Sequence, residues 1–253
     1  MSKPFLFIAC THGDEPIGKE VVERMSRDHR YVEAFDHIIG NPRALREKKR
    51  FTDVDLNRSA PGKLFSFAYE VRRALQIMRK ARSYPFVVDL HQTFANDRVV
   101  VIVTRVTREN LAFALAFPID TILLWPTSQP ERQTGSLVSY VPCGVEIESG
   151  VKTNFSKTRD RLQAILEIFL SEHRSLYPDV SALDQDELGR RSIYLVHKRI
   201  QESDLTPEPL QDFEPYEGAR DSFVPLLFGR HAGLLGYKMR RLDVSEALTL
   251  PSH

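Results

Sequence analysis

Cysteine is scarce in this sequence, with Cys10 and Cys143 as the only two thiols among its 253 residues. They lie far apart, and each sits in an apolar segment typical of a buried strand. This spacing argues against a disulfide framework, and two cysteines are too few for a cysteine-ligated zinc site. We therefore expect two reduced thiols in the core of the protein.

The sequence also lacks a long apolar run and an excess of one charge. No stretch approaches the roughly 20 apolar residues of a membrane span, and the first residues carry no signal-peptide pattern. The 35 Lys and Arg residues stand against 34 Asp and Glu residues, so the formal net charge is +1. We expect neither a membrane nor a nucleic-acid partner, since the only basic cluster is a short one at residues 46–50. The cytoplasm is the expected location.

The overall composition is that of a folded globular protein, with 42% hydrophobic and 27% charged residues. Short apolar runs typical of buried strands alternate with stretches of helical periodicity. The predicted strands cover residues 5–10, 36–40, 85–90, 99–103, 119–125 and 143–147, and the clearest helices cover residues 16–25, 64–82 and 157–172. This alternation predicts an α/β fold with helices on both faces of a sheet.

The character of the chain changes near Pro178. From there on, loops rich in Asp, Pro and Glu separate short β-like runs at residues 193–196 and 224–228. We therefore predict two domains, an α/β domain at residues 1–178 and a small β-rich domain at residues 179–253.

His12 and Glu15 stand three residues apart at the junction between the first strand and the first helix. At such a junction, both side chains can turn toward one point at the carboxyl edge of the sheet. Imidazole and carboxylate are ligands that zinc accepts. One interpretation is a metal site, and the other is a turn with a carboxylate at the start of a helix.

His91 offers a third ligand because it directly ends an apolar strand, and open α/β sheets bind ligands at the carboxyl ends of their strands. Two histidines and one glutamate leave the fourth zinc position open, which is the arrangement of catalytic zinc. Asp89, two residues earlier, is a candidate for orienting a ligand imidazole. The alternative is that His91 is a hydrogen-bonded structural residue.

Glu146 and Glu148 alternate with apolar residues on another predicted strand, so both carboxylates face the same side. They form either a solvated strand face or part of a site. In a site, Glu146 is the candidate general base that activates a water molecule.

The polar loop at residues 43–58 is rich in arginine and asparagine. Arg50, Asn57 and Arg58 can hold a substrate carboxylate by charge-assisted hydrogen bonds. Ordinary surface charge is the alternative interpretation of this loop.

Five short motifs appear in a fixed order along the chain. They are His12-x-x-Glu15, Asn41-Pro42-Arg43-Ala44, Asp55-Leu56-Asn57-Arg58, Asp89-Leu90-His91 and Gly144-Val145-Glu146. Together they resemble the aspartoacylase/succinylglutamate desuccinylase family of zinc carboxypeptidase-like hydrolases. The resemblance covers roughly residues 5–150 and, more loosely, the tail. It implies a mixed sheet flanked by helices and a smaller β-rich C-terminal domain that narrows the entrance.

The resemblance also implies the chemistry of the catalytic domain. It makes His12, Glu15 and His91 the ligands of a Zn²⁺ cofactor, and it makes Glu146 the base that activates the attacking water.

Substrate contacts follow from the same resemblance. Arg50 would polarise the scissile carbonyl and stabilise its oxyanion, while Asn57 and Arg58 would hold the α-carboxylate of the substrate. Tyr237 is a candidate for the family's C-terminal substrate-contacting tyrosine, although no gapless match places a tyrosine at that position. Ser136 stands where aspartoacylases carry an arginine for a second substrate carboxylate, which argues against acetyl-aspartate as the substrate.

The expected activity is zinc-dependent hydrolysis of the amide bond in an N-acyl amino acid or a similar small molecule with a free carboxylate. A small metallocarboxypeptidase acting on peptide C-termini is the alternative, because the same carboxylate clamp serves both. A non-catalytic carboxylate-binding module is a further alternative. Homo-oligomerisation stays open.

Overall fold

The computed structural model describes residues 3–92, 97–126, 135–173, 178–229 and 234–250. In these ranges the strands are β1 Phe5–Ala9, β2 Phe35–Ile39, β3 Phe86–His91, β4 Val100–Val103, β5 Thr121–Leu124, β6 Cys143–Glu148, β7 Ser192–Arg199, β8 Tyr216–Glu217, β9 Ser222–Leu226 and β10 Tyr237–Leu242. The α-helices are α1 Ile17–Met25, α2 Pro42–Glu47, α3 Tyr69–Ala81, α4 Arg108–Leu115, α5 Phe155–His173, α6 Gln185–Gly189 and α7 Val244–Thr249.

The strands form one mixed sheet in the order β2-β1-β3-β6-β4-β5-β7-β10-β9-β8. On one side, β2, β1, β3 and β6 run parallel to one another. β4 pairs antiparallel with β6, and β4, β5 and β7 are again mutually parallel. Antiparallel pairs of β7 with β10, β10 with β9 and β9 with β8 complete the sheet. A mixed sheet flanked by helices confirms the predicted fold class.

Helices cover both faces of the sheet, and the helices on each face pack their apolar sides into a separate core. α1, α4 and α5 pack on one face, where Phe5, Phe113, Phe117 and Phe169 form an aromatic cluster. The rings of Phe117 and Phe169 stack with centroids 4.2 Å apart. α3 packs on the other face through residues that include the fully buried Ile77.

The strand register brings the candidate ligands to one edge of the sheet. His12 follows β1 directly, and His91 ends β3. Ile8 of β1 pairs with Asp89 of β3, and Asp89 pairs with Glu146 of β6. Since these three strands are parallel, their carboxyl ends meet at the same edge.

The strands beyond residue 178 continue the same sheet. β7 pairs in parallel with β5 along four residues. Val196, Leu226 and Met239 share a core cluster with Ile102 and Leu123 from the first part of the chain. Strand pairing and shared apolar packing therefore join the β-rich C-terminal part to the larger part.

The loop predicted at residues 43–58 contains a short helix, so that local prediction is wrong. α2 forms because the Asn41 side chain accepts a hydrogen bond from the Ala44 backbone N–H at 2.9 Å, which satisfies a donor at the helix start. Leu56–Arg58 forms a single 3₁₀ turn in the same segment.

The helix predicted from residue 64 begins only at Tyr69. The Asp53 carboxylate accepts a hydrogen bond from the Tyr69 backbone N–H at 2.7 Å, and this contact satisfies a donor in the first turn. Phe65 and Phe67 precede the helix and are almost fully exposed. The predicted helix start rested on apolar spacing that included Leu64 and Phe67, and the structure leaves both of these side chains exposed.

Both cysteines are buried free thiols, which confirms the sequence prediction. Burial raises the pKa of Cys10 and of Cys143 to about 12. In the part of the chain that the structure describes, none of the helices combines the length and the apolar character needed to cross a bilayer.

The aromatic cluster gives a test of the fold. Phe169→Ala removes a fully buried ring between β1 and α4, and we expect it to lower the free energy of unfolding by about 3–5 kcal/mol. Ile168→Ala, next to it on α5, is the matched control because Ile168 is 45% exposed, and it should cost about 1 kcal/mol or less. Urea denaturation measures both, and equal losses would contradict this packing.

Candidate metal centre

His12 and Glu15 lie in the loop that leaves β1, and backbone constraints set the path of this loop. Cys10 adopts a left-handed conformation with φ 55°, which turns the chain out of the strand. Gly13 follows where a Cβ atom would stand 2.1 Å from the backbone carbon of Ala44. The Gly13 N–H donates to the Arg50 carbonyl at 3.1 Å. Only glycine allows this close approach between the two loops.

The structure brings the three predicted ligands together. One ligand atom from each of His12, Glu15 and His91 lies within 4.8 Å of the others, and all three residues are buried. His12 Nδ1 is 3.0 Å from Glu15 Oε1, and His91 Nδ1 is 3.1 Å from Glu15 Oε2. Two imidazole nitrogens and one carboxylate at this spacing fit a divalent ion with an open coordination position.

A second carboxylate meets the far nitrogen of each imidazole. Asp55 Oδ1 is hydrogen-bonded to His12 Nε2 at 3.1 Å, whereas Asp89 Oδ2 lies 3.0 Å from His91 Nε2 as an ion-pair contact without hydrogen-bond geometry. Thr11 Oγ1 donates to Asp89 Oδ1 at 2.7 Å and holds that carboxylate in place. Metal-binding histidines usually direct their second ring nitrogen to such a partner, which fixes the tautomer and the ring orientation. The donor set therefore fits a metal through Nδ1 of both rings.

Asp89 was predicted from the sequence as an orienting partner, and the structure places it beside His91. Asp55 was recognised only as part of a motif, and its contact with His12 was missed. The two residues are 43 positions apart, so no local spacing could reveal the contact. The Arg- and Asn-rich composition of the loop was the available signal.

Buried charges shape the electrostatics of the site. Burial alone raises the pKa of Glu15, but His12 and His91 lower it well below its ordinary value. Burial alone lowers the pKa of His91, but Asp89 and Glu15 raise it well above its usual range. His12 behaves in the same way, with its pKa raised by Glu15 and Asp55 against the effect of burial. The pocket therefore stabilises positive charge between its carboxylates.

Arg50 lies beside the same carboxylates and is partly buried. Its Nη1 is 3.5 Å from Glu15 Oε1, and its Nη2 is 3.4 Å from Asp55 Oδ2. The guanidinium thus borders the predicted metal position and places a positive charge beside Glu15 and Asp55.

Glu146 and Glu148 are only 3% and 8% exposed, so the interpretation of this strand as a solvated face is wrong. Asn57 Nδ2 donates to Glu146 Oε1 at 3.1 Å, and Asn57 Oδ1 accepts from the Leu137 N–H at 2.9 Å. The Asn57 N–H in turn donates to Asp55 Oδ1 at 2.8 Å. A short chain of contacts therefore connects Glu146 to the carboxylate that touches His12.

Arg58 is half-buried in the 3₁₀ turn that follows Asp55. Its Nη1 donates to the carbonyl of Asn57 at 3.0 Å. Since a guanidinium carries five N–H donors, this contact leaves Arg58 able to meet a carboxylate as well.

Tyr237 does not join the group. It begins β10, which β4, β5 and β7 separate from β6, and four strand spacings amount to roughly 19 Å. Its ring packs edge-on against Trp125, with centroids 4.7 Å apart. The sheet order therefore places this candidate away from Glu146. The family's C-terminal tyrosine was expected within residues 228–237, and residues 230–233 of that segment lie outside the described residues.

Ser136 is fully buried near the site and belongs to a cluster of hydroxyl groups. Its Oγ lies 3.4 Å from Thr104 Oγ1 and 3.2 Å from Ser139 Oγ. The next residue, Leu137, donates its N–H to Asn57. Ser136 thus contributes uncharged polarity where the related sequences were expected to carry an arginine. Arg132 stands four residues before Ser136 and is a candidate to replace the missing arginine by a loop shift, but it lies outside the described residues.

Sequence comparison relates the chain to one family of proteins. A family model described as the succinylglutamate desuccinylase/aspartoacylase catalytic domain matches residues 3–171. A curated protein named "Probable aspartoacylase" from Prochlorococcus marinus (strain MIT 9313) is 29% identical, over 97% of this chain and 94% of its own length. A second protein of that name, from strain MIT 9215, is 31% identical over 78% of this chain and 69% of its own length.

Solved structures share the fold. Murine aminoacylase 3 matches with a TM-score of 0.69 and 20% identity, covering 95% of this chain and 96% of its own. The succinylglutamate desuccinylase from Chromobacterium violaceum matches with a TM-score of 0.63 and 16% identity, covering 96% and 86%. At these identities the likeness concerns the fold of the chain.

The ligand geometry predicts that the chain can hold one divalent metal ion, and Zn²⁺ is the probe that tests it. His12→Ala, Glu15→Ala and His91→Ala should each weaken Zn²⁺ binding by more than the roughly 10–100-fold that loss of an orienting partner causes. His37→Ala, on the edge strand β2, is the matched control and should bind like the unaltered protein. Competition with a chromogenic chelator measures the affinities. Unchanged Zn²⁺ binding in all three ligand variants would refute the site.

Proposed function

Because this chain belongs to the succinylglutamate desuccinylase/aspartoacylase family, we propose that it is a zinc-dependent hydrolase of N-acyl amino acids. The observation that carries the proposal is the buried His12, Glu15 and His91 group with a separate carboxylate, Glu146, held on the adjoining strand. Three ligands and an independent base are the parts that hydrolysis of an amide requires.

The metal would be held by His12, Glu15 and His91, and when bound it supplies a Lewis acid that activates water near neutral pH. Glu146 takes a proton from the attacking water and returns it to the leaving nitrogen, so that the amide separates into a carboxylate and a free amine. The hydrogen bond from Asn57 supports this role because it fixes the orientation of the Glu146 carboxylate.

Arg50 stabilises the negative charge that develops on the carbonyl oxygen during attack. Its guanidinium borders the metal position through contacts with Glu15 and Asp55. Donors preorganised in this way stabilise a transition state more than a ground state, because they require no rearrangement when the charge appears.

Asn57 and Arg58 bind the α-carboxylate of the substrate. The 3₁₀ turn that follows Asp55 presents both residues, and Arg58 is half-buried. A guanidinium in that environment binds a carboxylate by charge-assisted, bidentate hydrogen bonds. The same clamp would serve a carboxypeptidase acting on a peptide C-terminus, which is the second candidate activity.

The side chain of the substrate amino acid is uncharged in this proposal. The buried cluster of Ser136, Thr104 and Ser139 offers hydroxyl groups and no cation. A second substrate carboxylate near Ser136 would lose water without gaining an ionic partner, which is unfavourable. Acetyl-aspartate should therefore have no advantage over acetylated amino acids with neutral side chains.

Glu146→Gln tests the chemical step. The variant should keep its fold and its Zn²⁺ but lose about 10²–10⁴-fold in kcat, the usual contribution of a positioned acid–base group. Glu148→Gln is the matched control, because it alters the next inward-facing acid of the same strand, and it should lose much less. Equal losses, or a larger loss in the control, would remove Glu146 from the role of base. A protein that binds substrate without any turnover would instead be a binding module.

A matched series of acetylated amino acids and their amides tests substrate recognition. Blocking the α-carboxylate should lower kcat/KM by roughly 10–100-fold, because Arg58 then loses a charge-assisted partner. Arg58→Ala should remove most of that discrimination, whereas Arg46→Ala, at an exposed position of α2, should keep it. Indifference to amidation would refute the clamp, and a marked preference for acetyl-aspartate would refute the inference from Ser136. Faster cleavage of peptides would favour the carboxypeptidase.

A further inference from the structure

Glu70 is a fully buried carboxylate that the proposed reaction does not use. It stands in the first turn of α3, and its two oxygens accept five hydrogen bonds. Oε1 accepts from Asn41 Nδ2 at 3.0 Å and from the Thr52 N–H and Oγ1 at 2.7 Å each. Oε2 accepts from the Asp53 N–H at 3.1 Å and the Val54 N–H at 3.3 Å. All of these donors are neutral.

Burying a carboxylate is unfavourable in free energy unless hydrogen-bond donors replace the water that it loses. Burial alone raises the pKa of Glu70, but the hydrogen bonds from Thr52 and Asn41 lower it to about 2. The carboxylate is therefore ionised and holds its donors strongly, because hydrogen bonds to an ionised acceptor are roughly twice as strong as neutral ones.

Four of the five donors belong to the segment between two residues of the site. Arg50 and Asp55 flank this segment, and they contact Glu15 and His12 respectively. Apolar packing supplies only part of its anchoring, because Phe51 and Val54 are each 38% exposed, and the first fully buried apolar residue after them is Leu56. Three backbone N–H groups of the segment donate to Glu70, and the Asp53 carboxylate accepts from the Tyr69 N–H, so hydrogen bonds tie the segment to the start of α3.

We propose that Glu70 is a positioning residue that fixes Asp55 against His12 and thereby sets the orientation of a metal ligand. Glu70 accepts a hydrogen bond from the Val54 N–H, and Val54 directly precedes Asp55 in the chain. Only one residue of backbone therefore separates the Glu70 contact from the carboxylate that meets His12. A loop released from Glu70 would let the Asp55 carboxylate move away from His12 Nε2. The inference rests on the proposed function only in requiring the metal at His12, Glu15 and His91.

Glu70→Gln tests this inference, because it keeps the shape of the side chain and replaces one accepting oxygen with an NH₂ group that faces N–H donors. Zn²⁺ affinity should fall by roughly 10–100-fold, the loss expected when the partner of a ligand histidine is displaced. Asp55→Asn should give a similar loss. The double variant should lose little more than either single variant, because both act through the same contact. Glu20→Gln, in the first turn of α1 and exposed, is the control and should bind normally.

A merely structural role for Glu70 predicts a different result. The melting temperature would fall while the folded variant kept the Zn²⁺ affinity of the unaltered protein, or the double variant would lose the full product of the two single losses; either outcome overturns the proposal. If Glu70→Gln does not fold, Glu70→Asp replaces it, since a shorter carboxylate cannot meet all five donors. Normal Zn²⁺ affinity in folded Glu70→Asp would also overturn the proposal. Affinity is measured by chelator competition, so an absence of hydrolysis would count against the proposed function alone.

Discussion

The carboxylate of Glu15, shared between two imidazoles, is the interaction on which the site and its surroundings depend. Oε1 meets His12, while Oε2 meets His91 and accepts from the Gln92 N–H at 3.1 Å. This geometry requires β1 and β3 to be parallel neighbours in one register, since a slip of one residue would turn His91 to the opposite face of the sheet. Both strands are fully buried, so their apolar packing fixes the register, and with it the polar centre.

Around Glu15, three further carboxylates are held by hydrogen-bond donors; Asp89 and Glu70 are fully buried, and Asp55 is partly buried. Thr11 holds Asp89, the Asn57 N–H holds Asp55, and the segment 52–54 holds Glu70. Because an unsatisfied buried carboxylate would be strongly destabilising, these contacts determine the path of the loops as firmly as core packing determines the sheet. The loop after α2 combines these polar contacts with one fully buried apolar residue, Leu56. Its conformation is therefore tied to the integrity of the polar network.

The sequence allowed prediction of those parts of the site that depend on strand periodicity. His12 and His91 could be assigned because apolar runs ended beside them, and ends of parallel strands meet at one edge. Contacts between distant segments left no such trace, so the pairing of Asp55 with His12 was missed. Glu70 shares the buried face of α3 with Ala74 and Ile77 at helical spacing, and an acid at such a position was the signal. The start of α3 was misplaced because Leu64 and Phe67 continue the apolar spacing of the helix toward the N-terminus, although both lie outside it and are exposed.

Charge balance favours this arrangement of ionisable groups. The carboxylates of Glu15, Asp55 and Asp89 surround the two imidazoles, and Arg50 adds one positive charge from the rim. When both imidazoles are protonated, their charges and that of Arg50 together match the three carboxylates. A divalent ion that displaces the two protons leaves the total unchanged, because metal ligation requires neutral histidine. Counted over these six groups, the charges are therefore balanced in either protonation state, and this balance lowers the desolvation cost of bringing the groups together.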